Sequence, residues 1–192
     1  MQCKLHRIAA HAEAQQLTES WEGAPVEPPF HFCFTLTEED TLRFEARREA
    51  AAIVHPAAKL GCFQEELWRY DVVEFFIATA DARSYLEFNL CPNGAWWAEG
   101  FTEPRVKLPG FDALSLRPIL QADMQQARWR CSAELPLEPL RRRGWLPWEC
   151  RLAACAVLCR EGVYTYLTSC EQRVGRPDFH HPWDWEMAQL SQ

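Results

Sequence analysis

The stretch "YDVVEFFIATADARSYLEFNLCPNGAWW" (70–97) decides how this chain folds. Val73, Phe75 and Ile77 alternate with Val72, Glu74 and Phe76. After the polar turn "ADAR", Leu86, Phe88 and Leu90 alternate with Tyr85, Glu87 and Asn89. A period of two is the signature of strands with two different faces. Pairing the two apolar rows on one face places Glu74, Tyr85, Glu87 and Asn89 together on the other. The Asn93-Gly94 dipeptide then predicts a tight hairpin, since both residues tolerate positive φ. With those two as the central positions, Trp97 falls opposite Leu90 in the core. Trp96 falls opposite Cys91, on the face of Glu87 and Asn89. Trp68 and Tyr70 enter that face from the preceding turn.

The same rhythm runs through most of the chain. In "FHFCFTLT" (30–37), Phe30, Phe32, Phe34 and Leu36 share a face, and Leu42, Phe44 and Ala46 alternate after "EED", which predicts a hairpin. "AAIVH" (51–55) reads as a further short strand, followed later by "LSLRPIL", "MQQARWRCSAEL", "RLAACAVLC" and "VYTYLTS". Helical periodicity is confined to 64–68 and to "LEPLRRRG" (137–144), a short helix with a solvated basic end capped by Gly144. Many strands joined by short turns define an all-β protein, an antiparallel β-sandwich of two sheets with short helices. The 192 residues form one domain, spanning 1–192.

Bulk composition narrows the function. Hydrophobic residues make up 48% and charged residues 24%, as in a globular protein, and a net charge of −7 disfavours nucleic acid as a partner. The N-terminal stretch lacks an apolar signal core and no segment has transmembrane length, so a cytoplasmic location with no membrane partner is expected. The nine cysteines then read as reduced thiols. The densest group is Cys150, Cys155, Cys159 and Cys170. Cys155 and Cys159 lie about 13 Å apart if that run is a strand, whereas thiolates sharing a zinc approach within about 4 Å. No C-x-x-C pair occurs, and no metal or other cofactor is expected.

The polar face of the central hairpin carries two carboxylates, an amide and several aromatic rings. Such a surface suits a small saccharide or similar polyol. The C–H face of the ring rests on an indole while the hydroxyls pair with carboxylates and amides. The alternative is a solvated outer face without a ligand.

At these residues the chain resembles bacterial DOMON-like domains related to family 9 carbohydrate-binding modules. The Trp, the "D-x-V-E-x-F" strand and the "Y-x-E-F-x-x-x-P-x-G" hairpin carry the resemblance over 66–97. "GRPDFHHPWDW" resembles their Pro-Asp-Phe-His-x-Pro segment over 176–182. The resemblance implies a DOMON-like sandwich (immunoglobulin- or jelly-roll-like) and a non-catalytic carbohydrate-binding role. It makes Trp68 an aromatic wall, Glu74 a hydroxyl acceptor and Asn89 a further contact; the candidates for a second wall, Trp183 or Trp185, are placed by neither motif nor spacing. Tyr85, Glu87, Trp96 and His180 complete the candidate ligand-binding set. One departure stands out: sugar-binding members use an arginine on the strand where this chain has Glu87, so their specificity does not transfer.

Three other functions have candidate residues in the sequence. Haem-binding DOMON domains need axial ligands, for which His180, His181 and Met187 are the candidates. A glycoside hydrolase needs two carboxyls flanking the scissile bond; Glu74 and Glu87 instead share one face, and neither G-x-S-x-G nor H-E-x-x-H occurs. Exposed tryptophans also serve as anchors for a protein partner. Asp178, His180 and Asp184 match no strong metal motif, while a calcium site leaves little sequence trace. The oligomeric state is left open.

Overall fold

The fold is described from a computed structural model, covering residues 6–8, 13–146, 149–171 and 173–190. Two sheets stack face to face. The first contains β2 (Gln15–Glu19), β3 (Pro25–Leu36), β4 (Thr41–Arg48), β9 (Ile119–Met124) and β10 (Trp129–Pro136), in the order β2-β3-β4-β10-β9. The second contains β1 (His6–Ile8), β5 (Val72–Thr79), β6 (Tyr85–Leu90), β7 (Trp96–Glu103), β8 (Val106–Lys107), β11 (Glu149–Arg160), β12 (Val163–Thr168) and β13 (Glu186–Leu190). Its order is β1-β13-β11-β5-β6-β7-β8, with β12 also paired to β11. All pairings are antiparallel except β1 with β13. This is the two-sheet antiparallel sandwich expected from the alternation.

The rows of alternating apolar residues meet between the sheets. Phe30, Phe32, Phe34, Phe44 and Trp129 come from one sheet, and Val73, Phe75, Ile77, Phe88 and Trp96 from the other. Rings connect the layers in sequence: Phe34 to Phe44 at 5.0 Å, Phe44 to Phe75 at 4.7 Å, Phe75 to Phe88 at 4.8 Å and Phe88 to Trp96 at 5.3 Å. Such contacts add to the area that the rings bury.

The hairpin between β6 and β7 departs from expectation by one residue. Leu90 pairs with Trp96 and Asn89 with Trp97, so Trp96 is the core residue and Trp97 joins the polar row. The connection is a three-residue loop: Gly94 N–H donates to the Cys91 carbonyl and Cys91 N–H to the Ala95 carbonyl. Only Gly94 has positive φ, at +80°. Pro92 explains the choice. Its fixed φ suits the second position of a type I turn, after which glycine takes the left-handed position.

Two other expected strands are absent. Residues 51–55 form a loop, because their backbone groups bond to Asp71 and Arg160 rather than to a neighbouring strand. Ile53 N–H donates to Asp71 Oδ2 at 3.1 Å, the Ile53 carbonyl accepts from Asp71 N–H, and the Ala51 carbonyl accepts from Arg160. "LSLRPIL" splits into a 3-10 turn over Ala113–Leu116 and the start of β9. Asp112 caps the turn, and Arg117 is left-handed before Pro118. Near residue 64 the helical signal yields only a 3-10 turn, Leu67–Arg69. The helix α1 (Leu137–Arg142) forms as read, with Gly144 at φ +73° after it.

Asp71 fastens this end of the second sheet. It is fully buried and accepts from Ile53 N–H, from Cys159 N–H at 2.7 Å and from Arg160 Nη1 at 2.9 Å. Replacing it strands three donors in or near the interior. Asp71→Ala is therefore expected to lower the unfolding free energy by about 3 kcal/mol in urea titration. A loss below about 1 kcal/mol would show that the contacts are surface-like.

Candidate ligand site on the outer face of the second sheet

The second sheet is buried on both faces. One face meets the first sheet, and the other lies under residues 173–185, which cross it between β12 and β13. That strap is held by Phe179 against Trp21 and Phe76, by Trp185 against Phe76 at 4.9 Å, and by Trp185 Nε1–H donating to the Phe179 carbonyl. Trp21 Nε1–H donates to the Gly175 carbonyl, and Arg151 donates to the carbonyls of Trp183 and Trp185. The polar row predicted to face outward is thus enclosed.

Register places these side chains in order. Thr168, Cys155, Glu74, Asn89 and Trp97 form one row across β12, β11, β5, β6 and β7, and Ala153, Phe76, Glu87 and Glu99 form the next. Where the strap does not reach, a cavity of about 640 Å³ opens over Glu74, Glu87, Asn89 and Trp97. Its walls include Trp68, Phe101, Tyr166, Phe179 and His180, with Arg105 and Lys107 at the edge. The volume falls within the range usual for small-molecule sites.

The floor is rich in hydrogen-bond acceptors. Asn89, only 3% exposed, donates through Nδ2 to Glu87 Oε1 at 3.0 Å. Its Oδ1 has no partner among the described residues. Glu74, 6% exposed, makes neither a hydrogen bond nor an ion pair with any described residue. Burial drives the Glu74 carboxyl well above the usual carboxylate range; the charge of Glu87 adds to this and Arg105 opposes it. Glu87 is pushed up to about 7, again mainly by burial, while the Asn89 hydrogen bond and Arg105 pull the other way.

Tyr85 and His180 are locked together beside this pair. Arg105 N–H donates to the Tyr85 hydroxyl at 3.0 Å, and that hydroxyl shares a hydrogen bond of 2.7 Å with His180 Nδ1. Burial, with Arg105 next, lowers His180 to about 4, so the ring is neutral near pH 7. Nε2 lies 3.6 Å from Glu87 Oε2, beyond hydrogen-bond length. Arg105, with φ +62°, reaches from the β7–β8 turn to Asp178 on the strap at 2.8 Å.

Six of the eight candidate residues meet around this cavity. Trp68, Glu74, Glu87, Asn89 and His180 line it, and Tyr85 supports His180 from the adjoining sheet position. Trp96 does not, being stacked on Phe88 in the core. Trp183, 52% exposed, lines a separate cavity with His181, Trp21 and Trp185, on the other side of the strap. Trp97, Phe101, Arg105, Lys107, Tyr166 and Phe179 were missed. Correct turn chemistry at Pro92 would have revealed Trp97 and, by alternation, Phe101; Arg105 and Phe179 lie in irregular segments without periodic signal.

Other proposed chemistries find different geometry. Both His180 nitrogens face protein groups, His181 faces the second cavity, and Met187 sits on β13 paired with Arg151. Among the described residues no group of three or more His, Cys, Asp or Glu side chains is gathered as a metal site, Asp178, His180 and Asp184 included.

No protein-family model and no curated protein sequence matches the chain. Solved structures do match along nearly its whole length. A protein proposed to bind carbohydrate from Bacteroides uniformis aligns with TM-score 0.74 and 13% identity, covering 97% of each chain. A family 9 carbohydrate-binding module from Caldicellulosiruptor kristjanssonii aligns in its cellotriose complex with TM-score 0.65 and 10% identity, covering 97% of this chain and 93% of that one. In complex with glucose it gives TM-score 0.66 and 10% identity, covering 98% and 96%. At these identities the likeness establishes a shared fold, the β-sandwich of family 9 modules.

The raised Glu87 has a pH signature. In the unfolded chain a glutamate titrates near 4.3. Between that value and about 7 the folded state therefore holds a proton that the unfolded state releases. This contribution to stability is complete below the unfolded value and is lost as pH rises through about 7. Glu87→Gln mimics the protonated form and keeps an acceptor for Asn89. It is expected to stabilise the protein by roughly 3 kcal/mol at pH 8, seen as a thermal midpoint higher by several degrees. The gain should vanish by pH 4; equal gains at both pH values would contradict it.

Proposed function

We propose that the chain is a non-catalytic carbohydrate-binding domain that holds a small saccharide or similar polyol over Glu74, Asn89 and Trp97. The observation that carries this reading is a cavity walled by indole and phenyl rings, with the Glu74 carboxyl on its floor unpaired among the described residues. A pyranose presents an apolar C–H face for the rings and donor hydroxyls for the acceptors. The fold supports it further, since the Caldicellulosiruptor module of the same fold was solved with cellotriose and with glucose. Trp97 provides a platform from the strand, with Trp68, 50% exposed, at the mouth.

A binding role fits the carboxylates better than hydrolysis. Glycosidases place one carboxyl on each side of the scissile bond. Glu74 and Glu87 rise from adjacent strands on the same sheet face, so both approach a ligand from below. The reading requires no cofactor.

Calorimetric titration with a panel of mono- and disaccharides, with tryptophan fluorescence as a parallel signal, tests the proposal. Binding is expected from at least one sugar, and Trp97→Ala should weaken it about tenfold, or 1.4 kcal/mol. The core substitution Trp96→Phe should leave affinity within about threefold, or 0.7 kcal/mol. A silent panel, or a Trp97→Ala protein that binds like the parent, rejects the site.

A further inference from the structure

The charges around the cavity do not balance. Arg105 is paired with Asp178 at 2.8 Å, Lys107 with Glu99 at 2.9 Å, and Glu66 with Arg69 at 2.9 Å. His180 is neutral near pH 7. What remains is Glu65 at the rim and Glu74 and Glu87 on the floor. Glu65 and Glu74 have no ion pair among the described residues, and Glu87 has only the neutral His180 within range. Every cation on the cavity wall is already committed to a carboxylate.

The hydrogen-bond inventory is equally one-sided. Glu74 offers two oxygens with no donor, and Asn89 Oδ1 is buried without one. The Asn89 amide already donates to Glu87. A hydroxyl group can use one such acceptor, but it gives neither carboxyl the counter-charge that would favour its ionised form. An ammonium group brings three donors and a positive charge, and it sits well beside aromatic rings. Trp97, Phe101 and Tyr166 supply those rings around the acceptors.

Resting on the saccharide reading above, we propose that the preferred ligand is an amino sugar, its ammonium group seated against the Glu74 and Glu87 carboxyls on the cavity floor. The raised carboxyls report the same deficit, because no neighbouring cation is close enough to hold both ionised. The neutral β-1,4-glucan and its amino counterpart then differ at this site by one charge and two or three satisfied acceptors. A charge-assisted contact in a partly enclosed site is worth at least a tenfold change in affinity.

The test compares chitosan trisaccharide, a glucosamine trimer, with cellotriose by calorimetry at pH 7. Tri-N-acetylchitotriose serves as the uncharged control. The expected result is binding at least tenfold tighter for the amino trimer than for either of the others. Glu74→Gln should bring the ratio between the amino trimer and cellotriose to within about threefold. Cellotriose binding as tightly as the amino trimer overturns the ammonium site and leaves the saccharide reading standing. Binding of neither trimer, nor of any sugar in the wider panel, overturns both. A tenfold preference that survives Glu74→Gln places the cation elsewhere and also overturns the inference.

Discussion

A β-sheet covered on both faces cannot leave polar side chains to water, and this constraint organises the protein. The second sheet has the first sheet beneath it and the 173–185 strap above. Along most of its outer face the constraint is met with apolar residues, Phe76, Ala153 and Val157 among them. At Glu74, Glu87 and Asn89 it is not met. These groups are buried, yet one carboxylate and one amide oxygen have no partner among the described residues. Leaving the sealed Asn89 Oδ1 unsatisfied costs on the order of 1–3 kcal/mol, a cost that a purely structural row has no reason to carry. The cavity above them gives the reason.

The surrounding residues follow from holding that row in place. Asp71 fixes the entry to β5 by binding backbone and Arg160 together. The aromatic series from Phe34 to Trp96 locks the opposite face, so the strands cannot slip by one residue and exchange their rows. Tyr85, His180, Arg105 and Asp178 tie the strap to β6 and the β7–β8 turn by hydrogen bonds and an ion pair. Arg105, Asp178 and His180 of that bracket line the cavity.

Alternation made much of this legible in the sequence. It assigned the facing rows of β3 and β4, and those of β5 and β6, because period two survives any tertiary context in which the two faces differ. It also set Glu74, Glu87 and Asn89 on one face. It failed where backbone chemistry decides: Pro92 selects a three-residue loop, which exchanged Trp96 and Trp97. It failed again at 51–55, where a distant aspartate captures the backbone of a strand-like run. The strap could not be read at all as a cover, since 173–185 has no periodicity and its partners are about 100 residues away in sequence. The partial covering of this face by 173–185 was therefore not legible from the strands. The family 9 modules share the sandwich, while any ligand depends on side chains that fold alone does not specify.

The central claim is that ligand occupies the cavity beside the strap, over Glu74, Glu87 and Trp97. It is tested most directly by amide and indole chemical-shift mapping in ¹H–¹⁵N NMR spectra during titration with chitosan trisaccharide. The account predicts saturable shifts at Trp97 Nε1–H, the Asn89 side-chain amide and the backbone of Glu74 and Glu87, with Trp96 Nε1–H and Trp183 Nε1–H unmoved. Saturable shifts centred on Trp183 and the second cavity, with the Asn89 amide and Trp97 indole unchanged, would contradict it.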